Sequence, residues 1–263
     1  MRRRLDTELV RRGLASSRTE AAEAIRDGHV AVRGTQAHKP STLVAVDEPV
    51  TLVEPARRFV SRGGEKLDAA LEEFAVDVAG KRCLDAGAST GGFTDCLLQR
   101  GAAEVVAVDV GYGQLAWRLR NDLRVTVLER TNVRDLRNAP LPFQPEVVVV
   151  DVSFISLALV FPTLAAVAAG EAKFVLLVKP QFEAGRGDVR SGGVVRDPGV
   201  WRRVLAHVER ICQDSGIAPI GLMASPLLGP AGNAEFLLHA RLGDEPVPLD
   251  LDAAIAAAGE LSS

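Results

Sequence analysis

Hydrophobic and polar positions divide the chain into a short mixed region and a longer alternating one. In the first region, apolar residues recur at helical spacing over 5–10 and again over 21–25. Segments 29–34 and 44–53 then show the composition of short strands. This pattern predicts a small α+β domain over residues 1–56.

The longer region alternates continuous apolar runs with helical segments. The apolar runs predict strands over 82–87, 104–109, 125–129, 146–151, 174–179, 220–224 and 235–240. The segments between them predict helices over 90–100, 114–120 and 197–215, and from Ser156 onwards. Such alternation is typical of a mostly parallel sheet covered by helices on both faces. We expect residues 63–263 to form a doubly wound, Rossmann-like α/β domain, with an interdomain linker over 57–62.

Charge is distributed unevenly between these regions. Residues 1–62 hold 12 Lys and Arg against 8 Asp and Glu, whereas residues 63–263 hold 19 against 26. A basic region attached to an acidic one indicates a nucleic-acid-binding module joined to a second domain. A solvated charged face would give the same counts, so the charge alone leaves both interpretations open.

Composition excludes several classes of protein. With 47% hydrophobic and 25% charged residues, the chain is neither disordered nor fibrous. Its three cysteines, Cys83, Cys96 and Cys212, do not suit a disulfide framework or a zinc site. The longest apolar run, 155–170, is shorter than the roughly 20 residues of a membrane span. We therefore expect a cytoplasmic protein with no metal and no membrane partner.

Several cations of the basic region are suited to binding phosphate. Arg4 and Arg18 fall near the starts of two predicted helices, where guanidinium groups bind phosphate oxygens well, and Lys39 lies on a later turn. Arg57 lies in the linker beside Phe59, which suits either contact with RNA or a plain connector with Phe59 between the domains.

The same region carries a family resemblance. The segment LVRRGLASSRTEAAEAIRDGHVAVRG, followed by KP, resembles the alpha-L RNA-binding motif found in a ribosomal protein and in pseudouridine synthases. Such motifs bind folded RNA by its shape and backbone more than by its sequence. The resemblance implies an RNA-binding domain over residues 1–56.

Polar residues follow the ends of the first five predicted strands of the longer region. They are Asp85, Asp109, Asn132, Asp151 and Lys179. Ligands of open α/β sheets bind outside the carboxyl ends of the strands. We expect these five side chains to surround one crevice.

The loop after the first of these strands, DAGASTGGF, indicates the cofactor. Its glycines do not have the G-x-G-x-x-G spacing that binds a pyrophosphate. Asp109 can accept hydrogen bonds from two ribose hydroxyls, and Asn132 can bond an adenine edge. Together these features favour S-adenosylmethionine over NAD, although tight-turn geometry alone also accounts for the glycines. The predicted cofactor-binding residues are Asp85, Gly87, Ser89, Gly91, Gly92, Asp109, Asn132 and Asp151.

Lysine is the candidate catalytic residue type. The chain has 5 Lys against 26 Arg, so each lysine invites an explanation. Lysine, unlike arginine, can lose its proton near neutral pH in suitable surroundings, and a neutral amine could then take the proton of a sugar 2′-hydroxyl. Lys179 at a strand end beside Asp151, and Lys66 near the start of a helix, are the candidates. An exposed strand-end cation and a helix-surface cation are the alternative interpretations.

These residues carry a second resemblance. Lys66, Asp151, Lys179 and Glu235, in that order, resemble the Lys-Asp-Lys-Glu tetrad of the FtsJ-like ribose 2′-O-methyltransferases. With SRGGEKL, CLDAGASTGGFTD, DVSFISL, VKPQFE and GGVVRDP, nearly the whole chain is similar to the TlyA family. The resemblance implies a class I methyltransferase fold and methylation of cytidine in 16S and 23S rRNA within ribosomal subunits, with S-adenosylmethionine as cofactor.

Two other functions are also compatible with the sequence. The family is also labelled hemolysin, which would require a membrane-active segment that the sequence does not show. The second is an RNA-binding assembly factor without catalysis, which would bind RNA through the first domain and would not bind the cofactor in the crevice.

Overall fold

The computed structural model describes residues 2–15, 17–26, 28–53, 58–185, 187–189 and 193–262. The chain divides into two compact units, Met1–Arg58 and Phe59–Ser263. The first unit contains β1 Arg2–Arg4, α1 Leu5–Arg11, α2 Arg18–Arg26, β2 Val30–Val32, β3 Thr35–Gln36, β4 Leu43–Ala45 and β5 Val50–Leu52.

In the first unit, two helices pack with short antiparallel strands around a small core. β1 pairs with β4, and β2 lies between β3 and β5. The core is made of Leu5, Leu9, Ala21, Ile25, Val30, Val44 and Val50. The α+β architecture confirms the prediction, but strand β1 was not expected because three consecutive arginines show no apolar alternation.

The second unit is built on a mostly parallel sheet. Its strands are β6 Arg82–Ala86, β7 Glu104–Val108, β8 Val125–Leu128, β9 Val147–Val150, β10 Lys173–Val178, β11 Ile217–Ala224 and β12 Phe236–Leu242. Within the described residues the strand order is β11-β12-β10-β9-β6-β7-β8, and β12 runs antiparallel to both of its neighbours. The predicted doubly wound sheet is confirmed.

Helices cover both faces of this sheet. They are α3 Arg62–Glu73, α4 Gly92–Gln99, α5 Trp117–Arg120, α6 Phe161–Val167, α7 Pro180–Glu183, α8 Pro198–Asp214 and α9 Leu251–Leu261, with 3₁₀ helices Val133–Asn138 and Leu157–Leu159. Alternate strand residues enter different cores because successive side chains point to opposite faces. For example, Leu176 packs in the core under α6 and α8, whereas Leu177 packs in the core under α3 and α4.

The segment expected to be a linker differs from the prediction. Phe59 is buried in the core under α3, and a side chain at Gly64 would collide with its ring. The amide of Val60 donates to Asp95 at 2.8 Å. Residues from Phe59 onwards therefore belong to the second unit, because an aromatic ring gains more from burial there than from exposure in a connector. Arg57, the expected RNA contact of this segment, lies outside the described residues.

Candidate active site

A cleft of about 780 Å³ opens at the carboxyl edge of the sheet. It lies where neighbouring strands β6 and β9 send the chain to different sides, the usual ligand position in an open α/β sheet. Its lining is Gly87, Ser89, Asp109, Val110, Gln114, Asn132, Val133, Arg134, Asp151, Val152, Ser153, Phe154, Ile155, Ser156, Leu159 and Val160. Five of the predicted cofactor-binding residues line this one cleft: Gly87, Ser89, Asp109, Asn132 and Asp151.

The turn after β6 brings backbone close to the end of β9. Gly87 has a φ of +90°, and a Cβ there would meet the carbonyl oxygen of Asp151 at 2.5 Å. Its amide and that of Ala88 donate to the carbonyl of Val108. Glycine is therefore required at position 87 by both conformation and space, and its backbone forms part of the cleft lining.

Gly91 and Gly92, two further predicted cofactor-binding residues, are tightly packed. A side chain at Gly91 would collide with Leu119, and one at Gly92 would collide with Ser61. Gly91 also has a φ of +99° at the start of α4. Close packing inside the second unit favours glycine at both positions, and their contact with a cofactor stays a prediction.

Asp109 is held so that its carboxylate faces the cleft. Its two oxygens accept hydrogen bonds from the amides of Ser89 at 2.8 Å and Gly111 at 2.6 Å. Each carboxylate oxygen can accept a further bond, so the group can bind two adjacent hydroxyls. Asn132 uses its side-chain oxygen to accept from the amide of Arg134 at 3.0 Å, which leaves its amide nitrogen free to donate.

Asp85 is buried beside the cleft with an incomplete set of partners. Its Oδ2 accepts from the hydroxyl of Thr94 at 2.6 Å, while Oδ1 has no hydrogen-bond partner among the described residues. Burial raises the pKa of Asp85 to about 7, and the neighbouring carboxylates of Asp151 and Asp109 act in the same direction. A buried carboxylate with an unused oxygen is suited to a positively charged ligand.

Lys179 and Asp151 form an ion pair at the edge of the cleft. The Lys179 Nζ lies 2.5 Å from Asp151 Oδ1 and donates to the hydroxyl of Ser153 at 2.9 Å. Only 11% of the Lys179 side chain is exposed, which rules out the solvent-exposed strand-end cation. The cleft and the lysine therefore share Asp151.

Lys66 and Glu235 form a second ion pair that is still more deeply buried. Lys66 from α3 contacts the Glu235 carboxylate, and both side chains are less than a tenth exposed. The pairing of Val178 with Phe236 places Lys179 and Glu235 side by side at the ends of β10 and β12. Their neighbours Leu177 and Leu237 enter the core under α3, so these strand-end side chains share the face from which Lys66 approaches. The structure thus brings the four predicted catalytic residues to one edge and one face of the sheet.

Sequence reasoning missed several residues of this site. Ser153 accepts a hydrogen bond from Lys179, and Gln114 lines the cleft near Ser89. Glu183 accepts hydrogen bonds from Ser156, which lines the cleft, and from Leu157. Phe154 lies at the cleft with 90% of its surface exposed and a φ of +61°. Ser153 and Phe154 directly follow Asp151, so their position beyond a strand end was the available signal.

Comparison with known proteins agrees with this geometry. A model of the FtsJ-like methyltransferase family matches residues 59–242, and an S4 domain model matches residues 3–50. A 16S/23S rRNA (cytidine-2′-O)-methyltransferase TlyA from Mycobacterium tuberculosis (strain ATCC 25618 / H37Rv) is 56% identical over 241 residues, 91% of this chain and 90% of the relative.

The chain belongs to the TlyA family of FtsJ-like methyltransferases. Hemolysin A from Brachyspira hyodysenteriae is also similar, with 40% identity over 90% of this chain and 98% of its own. A solved structure from Streptococcus thermophilus, described as a hemolysin, superposes with a TM-score of 0.76 at 38% identity, covering 99% of this chain and 96% of the other. Among the helices that the structure describes, none has the length and apolar character needed to span a membrane.

The S4 domain of this TlyA-family chain presents the predicted cations around a buried acid. Asp6 accepts from Arg4 at 2.8 Å and from Arg18 at 3.2 Å, and both guanidinium groups remain about half exposed or more. These contacts hold the pKa of Asp6 well below its usual range, the Arg4 bond being the largest cause. A shallow depression adjoins the two arginines and also includes Arg26. Lys39 is exposed on the turn before β4.

Proposed function

We propose that the protein transfers a methyl group from S-adenosylmethionine to the ribose 2′-hydroxyl of cytidine in ribosomal RNA. The observation that carries this proposal is the pairing of Lys179 with Asp151, which lines the cleft, and of Lys66 with Glu235 at the same edge of the sheet. The name of the M. tuberculosis relative supports cytidine as the nucleoside and both 16S and 23S rRNA as substrates.

The cleft residues fit S-adenosylmethionine. Asp109 would accept hydrogen bonds from the ribose hydroxyls, and Asn132 would donate to the adenine. The unused oxygen of Asp85 suits the positive charge of the methionine moiety. Gly87 lines the cleft and brings its backbone close to the end of β9. When bound, the cofactor supplies an electrophilic methyl group on a sulfonium.

Lys179 is the proposed base. Its ammonium group would first release a proton to solvent, and the neutral amine would then take the proton from the 2′-hydroxyl while that oxygen forms a bond to the methyl carbon; the carbon–sulfur bond breaks and its electron pair stays on sulfur. An arginine could not accept this proton because it is already protonated at any relevant pH. Asp151 would hold the amine in place from the cleft side, and the Lys66–Glu235 pair would fix a second cation nearby.

The S4 domain would supply affinity for RNA. Arg4 and Arg18 are held outward by Asp6, in positions suited to phosphate oxygens. Phosphate contacts position a protein on RNA without identifying a base. The target nucleotide would then depend on the shape of the RNA around the cytidine.

The decisive experiment is to map ribose methylation on rRNA after incubating unmethylated ribosomal subunits with the protein and S-adenosylmethionine. We expect 2′-O-methylcytidine with the parent protein and none above background with Lys179→Ala, which should still bind the cofactor in calorimetry. Lys81→Ala is the matched control, since Lys81 also pairs with a glutamate at a strand end but lies at the opposite edge of the sheet. Full activity of Lys179→Ala would refute the assignment.

The hemolysin names of two relatives provide a further comparison. We expect the purified protein without a methyl donor to leave liposomes intact, because no described helix could cross their bilayer. Leakage of an entrapped dye at the concentrations used for methylation would contradict this expectation.

A further inference from the structure

One wall of the cleft is formed by irregular chain that directly follows β9. This wall segment, residues 153–156, contributes four of the residues that line the cleft. It includes Phe154, whose positive φ and exposed ring are both unfavourable for a non-glycine apolar residue. A segment of this kind needs contacts from elsewhere to hold one conformation.

Those contacts come from the short segment that carries Lys179. Lys179 itself donates to Ser153 at 2.9 Å. One helical turn later, the ring of Phe182 lies 4.9 Å from that of Phe154. Residues 179–183 therefore run alongside the wall segment and contact it at successive positions.

Glu183 makes the last of these contacts, with two hydrogen bonds. Its Oε2 accepts from the hydroxyl of Ser156 at 2.7 Å, and its Oε1 accepts from the amide of Leu157 at 2.8 Å. The Ser156 oxygen also accepts from the amide of Ala158, so the glutamate fixes the first turn of the 3₁₀ helix that ends the wall. Burial raises the pKa of Glu183 because it disfavours the charged carboxylate. The hydrogen bonds from Leu157 and Ser156 offset part of that cost.

We propose that Glu183 is a positioning residue that locks the cleft wall to the segment bearing Lys179, so that the two move as one body during methyl transfer. This inference rests on the proposed function of the cleft. Without Glu183, the far end of the wall loses both of its hydrogen bonds to α7, and the contacts that remain are those of Lys179 with Asp151 and Ser153 and of Phe182 with Phe154. On the opposite wall, Asp109 accepts from Ser89, whereas Glu183 is hydrogen-bonded to Ser156 and Leu157 within the described part of the chain.

This arrangement predicts a separation of turnover from cofactor binding. The Lys179 amine must meet the 2′-hydroxyl within a fraction of an ångström, whereas the ribose of the cofactor is expected on the Asp109 side. In Glu183→Ala we expect kcat to fall at least about tenfold, because small misplacement of reacting groups is costly. The cofactor Kd should remain within about threefold of the parent value, since hydrogen bonds on the other wall persist.

The conservative variant Glu183→Gln should recover most of the lost turnover. Its amide oxygen can accept from the Leu157 amide, and its amide nitrogen can donate to the Ser156 hydroxyl. A residue needed only for folding would give lower melting temperatures in both variants without this difference in kcat. Glu171→Ala is the control, because Glu171 is an exposed carboxylate that pairs with Arg241 before β10, away from the cleft.

The test uses the full chain, ribosomal subunits and S-adenosylmethionine, and it adds hydrogen exchange of the amides of residues 153–159. We expect faster exchange in Glu183→Ala and parental exchange in Glu183→Gln. Parental kcat or parental exchange in Glu183→Ala would overturn the inference, as would equal loss of kcat in both variants. If the parent protein transfers no methyl group to RNA, the proposed function fails, while the exchange measurement still decides whether Glu183 holds the wall.

Discussion

Two buried aspartates, one in each unit of the chain, have opposite electrostatic surroundings. Asp6 in the S4 domain is bonded by Arg4 and Arg18, and these contacts lower its pKa. Asp85 beside the cleft is bonded by the hydroxyl of Thr94, and burial raises its pKa to about 7. The first carboxylate has its positive partners within the fold, whereas an oxygen of the second remains unused among the described residues.

This difference indicates the charge of the ligand that each site would bind. In the S4 domain the anion is buried and the cations are exposed, so the surface is prepared for a negatively charged partner such as RNA. Beside the cleft the buried carboxyl group has one oxygen that no described residue hydrogen-bonds, so that position suits a positively charged ligand. The sulfonium cofactor and the RNA proposed above carry these opposite charges.

The two regions also use different cations: the S4 domain uses arginine, whereas the cation beside Asp151 is a lysine. The largest effect is expected when Lys179 is changed to arginine, which keeps the charge beside Asp151 but cannot act as a base. We expect Lys179→Arg to lower kcat by at least about 100-fold, the usual contribution of a general base. Single-turnover methylation of rRNA measures this directly.

The reverse exchange in the S4 domain is the matched comparison. Arg18→Lys keeps a cation near Asp6 and loses only the planar guanidinium geometry. RNA affinity should weaken by no more than about fivefold, because a lysine remains a competent phosphate ligand. If Lys179→Arg lost no more activity than Arg18→Lys, Lys179 would act by its charge alone, because the arginine keeps that charge.

A smaller effect is expected from the pH dependence of cofactor binding. Because the pKa of Asp85 is raised, its neutral form predominates below about pH 7 and its carboxylate above that value. Affinity for a positively charged cofactor should therefore decrease as the pH falls through 7, by at most about tenfold per pH unit. Calorimetry between pH 6 and 8 would show this decrease in the parent protein and its absence in Asp85→Asn.

Stability should change in the opposite direction in the same variant. Folding raises the pKa of the Asp85 carboxyl group from 3.8 to about 7. Such a group destabilises the folded state increasingly as the pH rises through this interval. At pH 8, ligand-free Asp85→Asn should therefore melt no lower than the parent, although it binds cofactor more weakly. Asp252→Asn, at an exposed position of α9, is the control. A lower melting temperature for Asp85→Asn would show that its carboxylate serves packing instead.

The sequence predicted the sheet and the positions of Asp151 and Lys179 because both depend on local pattern and strand order. Valine-rich runs such as β9 have no alternative to burial on both faces, and Asp151 and Lys179 then fall at strand ends. Glu235 came from the family resemblance, and its contact with Lys66 became visible only in three dimensions.

Tertiary packing accounts for what the sequence did not predict. The glycines at 91 and 92 are explained by collisions with Leu119 and Ser61, residues distant in sequence. Phe59 is buried by helix α3, which no local pattern around it indicates. The bonds from Glu183 to Ser156 and Leu157 join segments 26 and 27 residues apart, so no periodicity could reveal them.

The smallest effect is expected in the S4 domain, where it opposes simple charge counting. Asp6→Asn removes a negative charge from a surface proposed to bind RNA, and electrostatic attraction alone would then increase affinity. If Asp6 instead orients Arg4 and Arg18, the variant should bind rRNA about two- to fivefold more weakly, because two guanidinium groups lose their fixed direction. Asp47→Asn makes the same change of charge at an exposed position of the same domain. Filter binding of both variants at one salt concentration separates the explanations: equal gains in affinity would leave net charge as the cause, whereas a loss in Asp6→Asn alone requires that the buried acid act through the arginines it holds.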